Sequence, residues 1–135
     1  MFELGLGGVD MVLHALKHAW CGEIFVPKIP SYKITDVAKA IAPNIEQREV
    51  GIRPGEKLHE AMITSSDSYN TYDLGKYYTI LPTVFNWDLD EFIKVFDAKK
   101  VPEGFRYNSG ENDEWETVES LRALIKEHVD SNFTL

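Results

Sequence analysis

The run Gly51-Ile52-Arg53-Pro54-Gly55-Glu56-Lys57-Leu58-His59-Glu60 holds the residues of this chain best suited to chemistry. Arg53 stands just ahead of a Pro-Gly bend, where Pro54 restricts φ and Gly55 tolerates a positive one. Glu56 to Met62 consists mostly of good helix formers and is expected as a helix. An arginine on a rigid turn beside helix-terminal N–H groups suits a phosphate, because its guanidinium is a flat fork of donors. The same residues also fit an arginine in a helix-capping loop, paired with Glu56 or Glu60. The pattern admits both.

Other spacings are less specific. Gly5-Leu6-Gly7-Gly8-Val9-Asp10 lacks the third glycine of a dinucleotide fingerprint, and four residues leave no room for a strand before it. Tyr72 and Lys76 have the Tyr-x-x-x-Lys spacing used for proton transfer on a helix, but Gly75 and the serines upstream favour a loop entering a strand. Glu56-x-x-His59 would supply two metal ligands only from one helix face, with further carboxylates that are not evident. No metal is expected. His59 reads as a partly buried helix residue, and Cys21 as a buried structural thiol. Lys28 follows a strand end between Pro27 and Pro30. Its loop is either a solvated one or the wall of a pocket whose Lys28 and Ile29 amides read a base edge.

Periodicity gives the helices and strands around these residues. Val9, Val12, Leu13, Leu16 and Trp20 form a helical stripe ended by Cys21-Gly22. Glu23 to Val26 is a short strand stopped by Pro27. A second helix starts at about Thr35, with Asp36 in its first turn, and ends at Pro43. Glu46 to Ile52 alternates like a strand. Thr64 to Asn70 is a polar loop, and Tyr77 to Leu81 a third strand closed by Pro82. Residues 83–116 scatter aromatics among charges and read as an irregular arm, with a short helix near Asp90 to Phe96. Thr117 caps a last helix with Val118, Leu121, Leu124, Ile125 and Val129 on its apolar side. The order is α/β: a small sheet of about three short strands with three to four helices, in one domain over residues 1–135.

Composition limits the partners. The net charge is −8, and residues 61–135 carry seven basic against fourteen acidic side chains. Such a chain repels nucleic acid and anionic membranes, so neither is an expected partner. Residues 20–60 balance six basic against six acidic groups and are where an anionic ligand would gather. No apolar run reaches the ~20 residues of a membrane span, the N-terminus has no signal-peptide pattern, and a single cysteine suits a reducing cytoplasm.

Glu23 to Ser31, Lys33 to Pro43 and Gly51 to Glu60, with Val101 to Gly110 and Asn112 to Arg122, resemble the C-terminal part of bacterial polysaccharide-biosynthesis proteins. That group is the inverting UDP-N-acetylglucosamine 4,6-dehydratases, which are extended short-chain dehydrogenase/reductases. The resemblance covers most of the chain from residue 9 onward, and Ile52 to Glu60 is its most specific part. It implies the substrate-binding subdomain of extended short-chain dehydrogenases. By that analogy Arg53 contacts the UDP diphosphate, Glu56 a ribose hydroxyl, and the Pro27-Lys28 loop lies near the uracil. The resemblance also implies NADP and the catalytic residues in a Rossmann domain that this sequence does not contain. No cofactor, no catalytic residue and no turnover by the chain alone are therefore expected. UDP-sugar binding should be weak, and a face built to pack on the absent domain should drive self-association.

Overall fold

The computed structural model describes residues 6–134, which divide into two compact units. Of the described residues, the first unit comprises 6–29 and 61–108, and the second 30–60 and 109–134.

The first unit is built on an antiparallel sheet. Its strands are β1 (Ile24–Pro27), β3 (Thr71–Asp73), β4 (Tyr77–Ile80) and β5 (Lys99–Lys100), in the order β1-β4-β3-β5. Two more strands, β2 (Ala61–Ile63) and β6 (Tyr107–Asn108), form a separate antiparallel pair. Pro27 does not end β1 but is its last paired residue, opposite Tyr77. It is tolerated because β1 is an edge strand, where a missing N–H costs no ladder bond. The other edge is β5, whose exposed Lys99 and Lys100 guard against further pairing. Strands β3 and β4 form a hairpin across Leu74-Gly75-Lys76. Gly75 takes φ +83° there and donates its N–H to Asp73 Oδ1 at 2.7 Å.

Helix α1 (Leu6–His18) precedes the sheet, and α3 (Leu89–Phe96) is the short helix expected near Asp90 to Phe96 within the segment otherwise read as irregular. Asp88 caps α3 by accepting the Glu91 N–H at 2.9 Å. Trp87, Phe92 and Phe96 of that segment make a core with Trp20. Phe92 is fully buried, with Trp20, Trp87 and Phe96 centred 5.5, 5.0 and 4.6 Å from it. A second cluster joins Val26, Ile63 and Tyr107. On α1 the predicted stripe is real but unburied: Val9, Val12, Leu13 and Leu16 are all exposed.

The second unit pairs α2 (Ile34–Ile41) with α4 (Val118–His128) through Val37, Ala40 and Leu121. Helix α2 is flanked at its start by Lys33 rather than Thr35, and Asp36 does sit in its first turn. Arg122 closes the far end of α2, donating to the carbonyls of Ala40 and Lys39 at 3.3 Å each. Thr117 caps α4 in a reciprocal box with Ser120.

Two expected elements are absent. Glu46–Ile52 joins no ladder, and Val50 and Ile52 are exposed. Alternation makes a strand only where a neighbouring strand satisfies the backbone. Residues 56–62 are not helical either. Here tertiary contact overrides helix propensity: Ile63 is fully buried, which draws Ala61–Ile63 into β2 opposite Tyr107 and Asn108.

Candidate functional site

The Arg53 loop of the second unit is a turn without the helix expected after it. The Glu56 N–H donates back to the Arg53 carbonyl at 3.1 Å, closing a bend over Pro54 and Gly55, with Gly55 at φ +86°. The Glu56 carboxylate folds over the same bend. It accepts the Arg53 backbone N–H at 2.8 Å and meets the guanidinium only at 4.0 Å. The Arg53 side chain is 87% exposed. A surface pair at that distance contributes about 0–1 kcal/mol, so the guanidinium keeps its donors for a ligand. The helix-terminal N–H groups anticipated beside it are not there, because residues 56–60 are not helical. Arg53 must act through its own fork.

Past the bend the loop is fastened. Glu60 and Ser109 exchange two bonds: the Glu60 N–H donates to Ser109 Oγ at 3.1 Å, and the Ser109 N–H to the Glu60 carbonyl at 3.0 Å. The His59 ring lies over Gly110 so closely that a Cβ there would come within 2.8 Å of it. Any side chain at position 110 would have to displace the exposed His59 ring. That constraint could not be read from the sequence, since the two residues are far apart along it. His59 itself is exposed, contrary to expectation, because no helix carries it.

Pro27 and Lys28 belong to the first unit, and Arg53 and Glu56 to the second. Lys28 Nζ is engaged by Asp73 Oδ1 at 2.7 Å and lies 4.5 Å from the centre of the Tyr78 ring. The Ile29 N–H, a candidate for reading a base edge, donates to Tyr107 Oη at 2.7 Å, and that hydroxyl donates to the Ile29 carbonyl at 2.9 Å. This pair ties β6 to the end of β1 and holds the 27–29 segment in place.

The remaining candidates resolve as structure. Cys21 is exposed, not buried. It takes φ +118° in a bend after α1, where the Glu23 carboxylate accepts the N–H groups of Trp20 and Cys21. Tyr72 is buried in the aromatic core while Lys76 is exposed, and both lie on the β3–β4 hairpin. Residues 6–10 of the glycine-rich start lie in α1 rather than in a strand-to-helix turn, and Gly5 lies outside the described residues. Among the described residues no three His, Cys, Asp or Glu side chains gather as metal ligands, and no helix is long and apolar enough to cross a membrane.

Fold and site define a mixed α/β module with a small antiparallel sheet and an arginine presented on a Pro-Gly turn. The chain belongs to the polysaccharide biosynthesis protein family, whose sequence pattern matches residues 6–82, more than half its length. It is 44% identical over 122 residues to the inverting UDP-N-acetylglucosamine 4,6-dehydratase of Campylobacter jejuni, covering 87% of this chain and 36% of that protein. It is 41% identical over 76 residues to the UDP-glucose 4-epimerase of Rickettsia felis, covering 53% of this chain and 22% of that one. The X-ray structure of Pen from Bacillus thuringiensis matches with a TM-score of 0.69 at 25% identity, over 90% of this chain and 36% of that one. The chain thus spans about a third of the length of the dehydratase it matches.

Proposed function

We propose that this chain is the UDP-sugar-binding portion of a nucleotide-sugar 4,6-dehydratase-like protein of polysaccharide biosynthesis, acting in the cytoplasm and without turnover of its own. The observation that carries the reading is the Arg53 turn: an exposed guanidinium, held by a bend that Glu56 closes, in a chain 44% identical to a UDP-N-acetylglucosamine dehydratase. Arg53 meets the diphosphate, and Glu56 accepts a ribose hydroxyl. Pro27 and Lys28 remain candidate binding residues: Lys28 Nζ donates to Asp73 Oδ1 and keeps two further N–H donors. The nicotinamide cofactor and the sugar chemistry belong to the remainder of the longer relatives.

The binding is weak. One charge-assisted arginine contact nets roughly 1.5–3 kcal/mol, against the ~4 kcal/mol of a millimolar complex. Titration with UDP should therefore move the amide resonances of Arg53 and Glu56 with millimolar affinity, and Arg53→Ala should abolish the response. Micromolar affinity, or shifts that survive Arg53→Ala, would contradict this account.

A second reading has its own observation. Val9, Val12, Leu13 and Leu16 present an exposed apolar stripe on α1, next to an open groove of about 550 Å³ between α1 and β1. A stripe of this kind favours association with a second copy. Light scattering should show a concentration-dependent dimer that Leu16→Lys returns to monomer. A monomer at millimolar protein would exclude it.

A further inference from the structure

A different concavity lies in the first unit. A pocket of about 350 Å³ opens where α1 meets the β3–β4 hairpin and α3. Its polar lining comes from His14, Lys17 and His18 of α1 and Lys76 of the hairpin, with Asp10 as the one carboxylate. Leu13, Leu74 and Phe96 supply the apolar part. This concentration of basic groups occurs in a chain of net charge −8. Among the described residues neither Lys17 nor Lys76 meets a carboxylate within ion-pair distance; Lys76 lies over the Tyr77 ring at 5.4 Å.

The two imidazoles are held in place. His14 and His18, one turn apart, stack at 4.3 Å, and His18 Nδ1 donates to the His14 carbonyl at 2.9 Å. That bond fixes the neutral tautomer and leaves Nε2 to take a proton. The His14 ring also meets Phe25 of β1 at 5.6 Å and Tyr77 of β4 at 4.9 Å. Burial, and after it the charges of His18 and Lys76, hold His14 below the usual imidazole range. Two histidines at this spacing also suit a metal, but no third ligand joins them among the described residues, and two ammonium groups line the same space. The charge favours an anion.

We propose that this pocket binds a phosphate group, the dianionic oxyanion of a small phosphorylated molecule, through Lys17, Lys76, His14 and His18. The site is distinct in residues from the Arg53 turn and does not rest on the UDP-sugar reading. A bound dianion favours the protonated imidazoles, so binding takes up protons.

The test is an NMR titration of the imidazole C2 protons in the full chain, with and without inorganic phosphate, ionic strength being matched with chloride. Phosphate should raise the pKa of His14 and His18 by about half a unit or more and leave His59 and His128 in place. Lys17 and Lys76 are exposed, so Lys17→Met with Lys76→Met should keep the fold, as circular dichroism would check, and lose the response. Arg53→Ala should keep it. Equal shifts in all four histidines, no shift, a response that survives the double variant, or one lost with Arg53→Ala would overturn the proposal. So would zinc moving His14 and His18 where phosphate does not.

Discussion

Phe92→Ala should destabilise the first unit by about 3–5 kcal/mol, among the largest effects of any single truncation in this chain. Phe92 has no exposed surface, and three aromatic rings converge on it. Trp20 and Phe92 meet edge to face at 90°, whereas Trp87 stacks on Phe92 at 27°, so the rings interlock rather than slide. Truncation removes both the buried surface and the partners of the two tryptophans, and rigid neighbours cannot close the void. Trp20 and Trp87 report the change directly. In urea, with a slope of about 1–3 kcal/mol per molar, the fluorescence midpoint should fall by one to several molar. Total stability of a domain is only about 5–15 kcal/mol, so a variant already unfolded without denaturant agrees with the prediction. Phe92→Leu, which keeps most of the volume, should lose much less. A midpoint for Phe92→Ala within experimental error of the parent would show that the aromatic cluster is not the core described.

Leu121→Ala should cost the second unit about 2–5 kcal/mol. That unit has two helices and one isolated bridge, Ser31 to Trp115, in place of a sheet. Leu121, 3% exposed, packs with Val37 and the fully buried Ala40. With so small a core the loss is a large share of what holds α2 to α4. Hydrogen exchange measures it: protection of the α2 amides should fall by at least about 30-fold, the equivalent of 2 kcal/mol. Unchanged protection would mean that α2 is held by something other than this contact.

Element types were legible where a strong local signal and the tertiary contacts agreed. The stripe from Val9 to Trp20, Thr117 before an apolar run, and Asp36 in a first turn mark helices found at α1, α4 and α2. Tyr77 to Leu81 marks β4. Short elements escaped. β3, β5 and β6 have two or three residues each, too few for a period of two to show. At the candidate site, the Pro54-Gly55 bend and the presentation of Arg53 follow from residue type, whereas the anchoring by Ser109 and the packing of His59 on Gly110 join segments about fifty residues apart.

The features legible from residue order are local: which stretches coil into helices, where Pro and Gly bend the chain, and that Arg53 stands on such a bend. Backbone torsions and capping bonds span only a few residues, so residue order alone encodes them. Long-range contacts set the rest: residues 61–63 pair as a strand instead of extending a helix, Lys28 pairs with Asp73, and four basic side chains line one pocket. Each of these depends on burial or charge contacts between residues distant in the chain, and their free energies exceed the small intrinsic preferences that local sequence expresses.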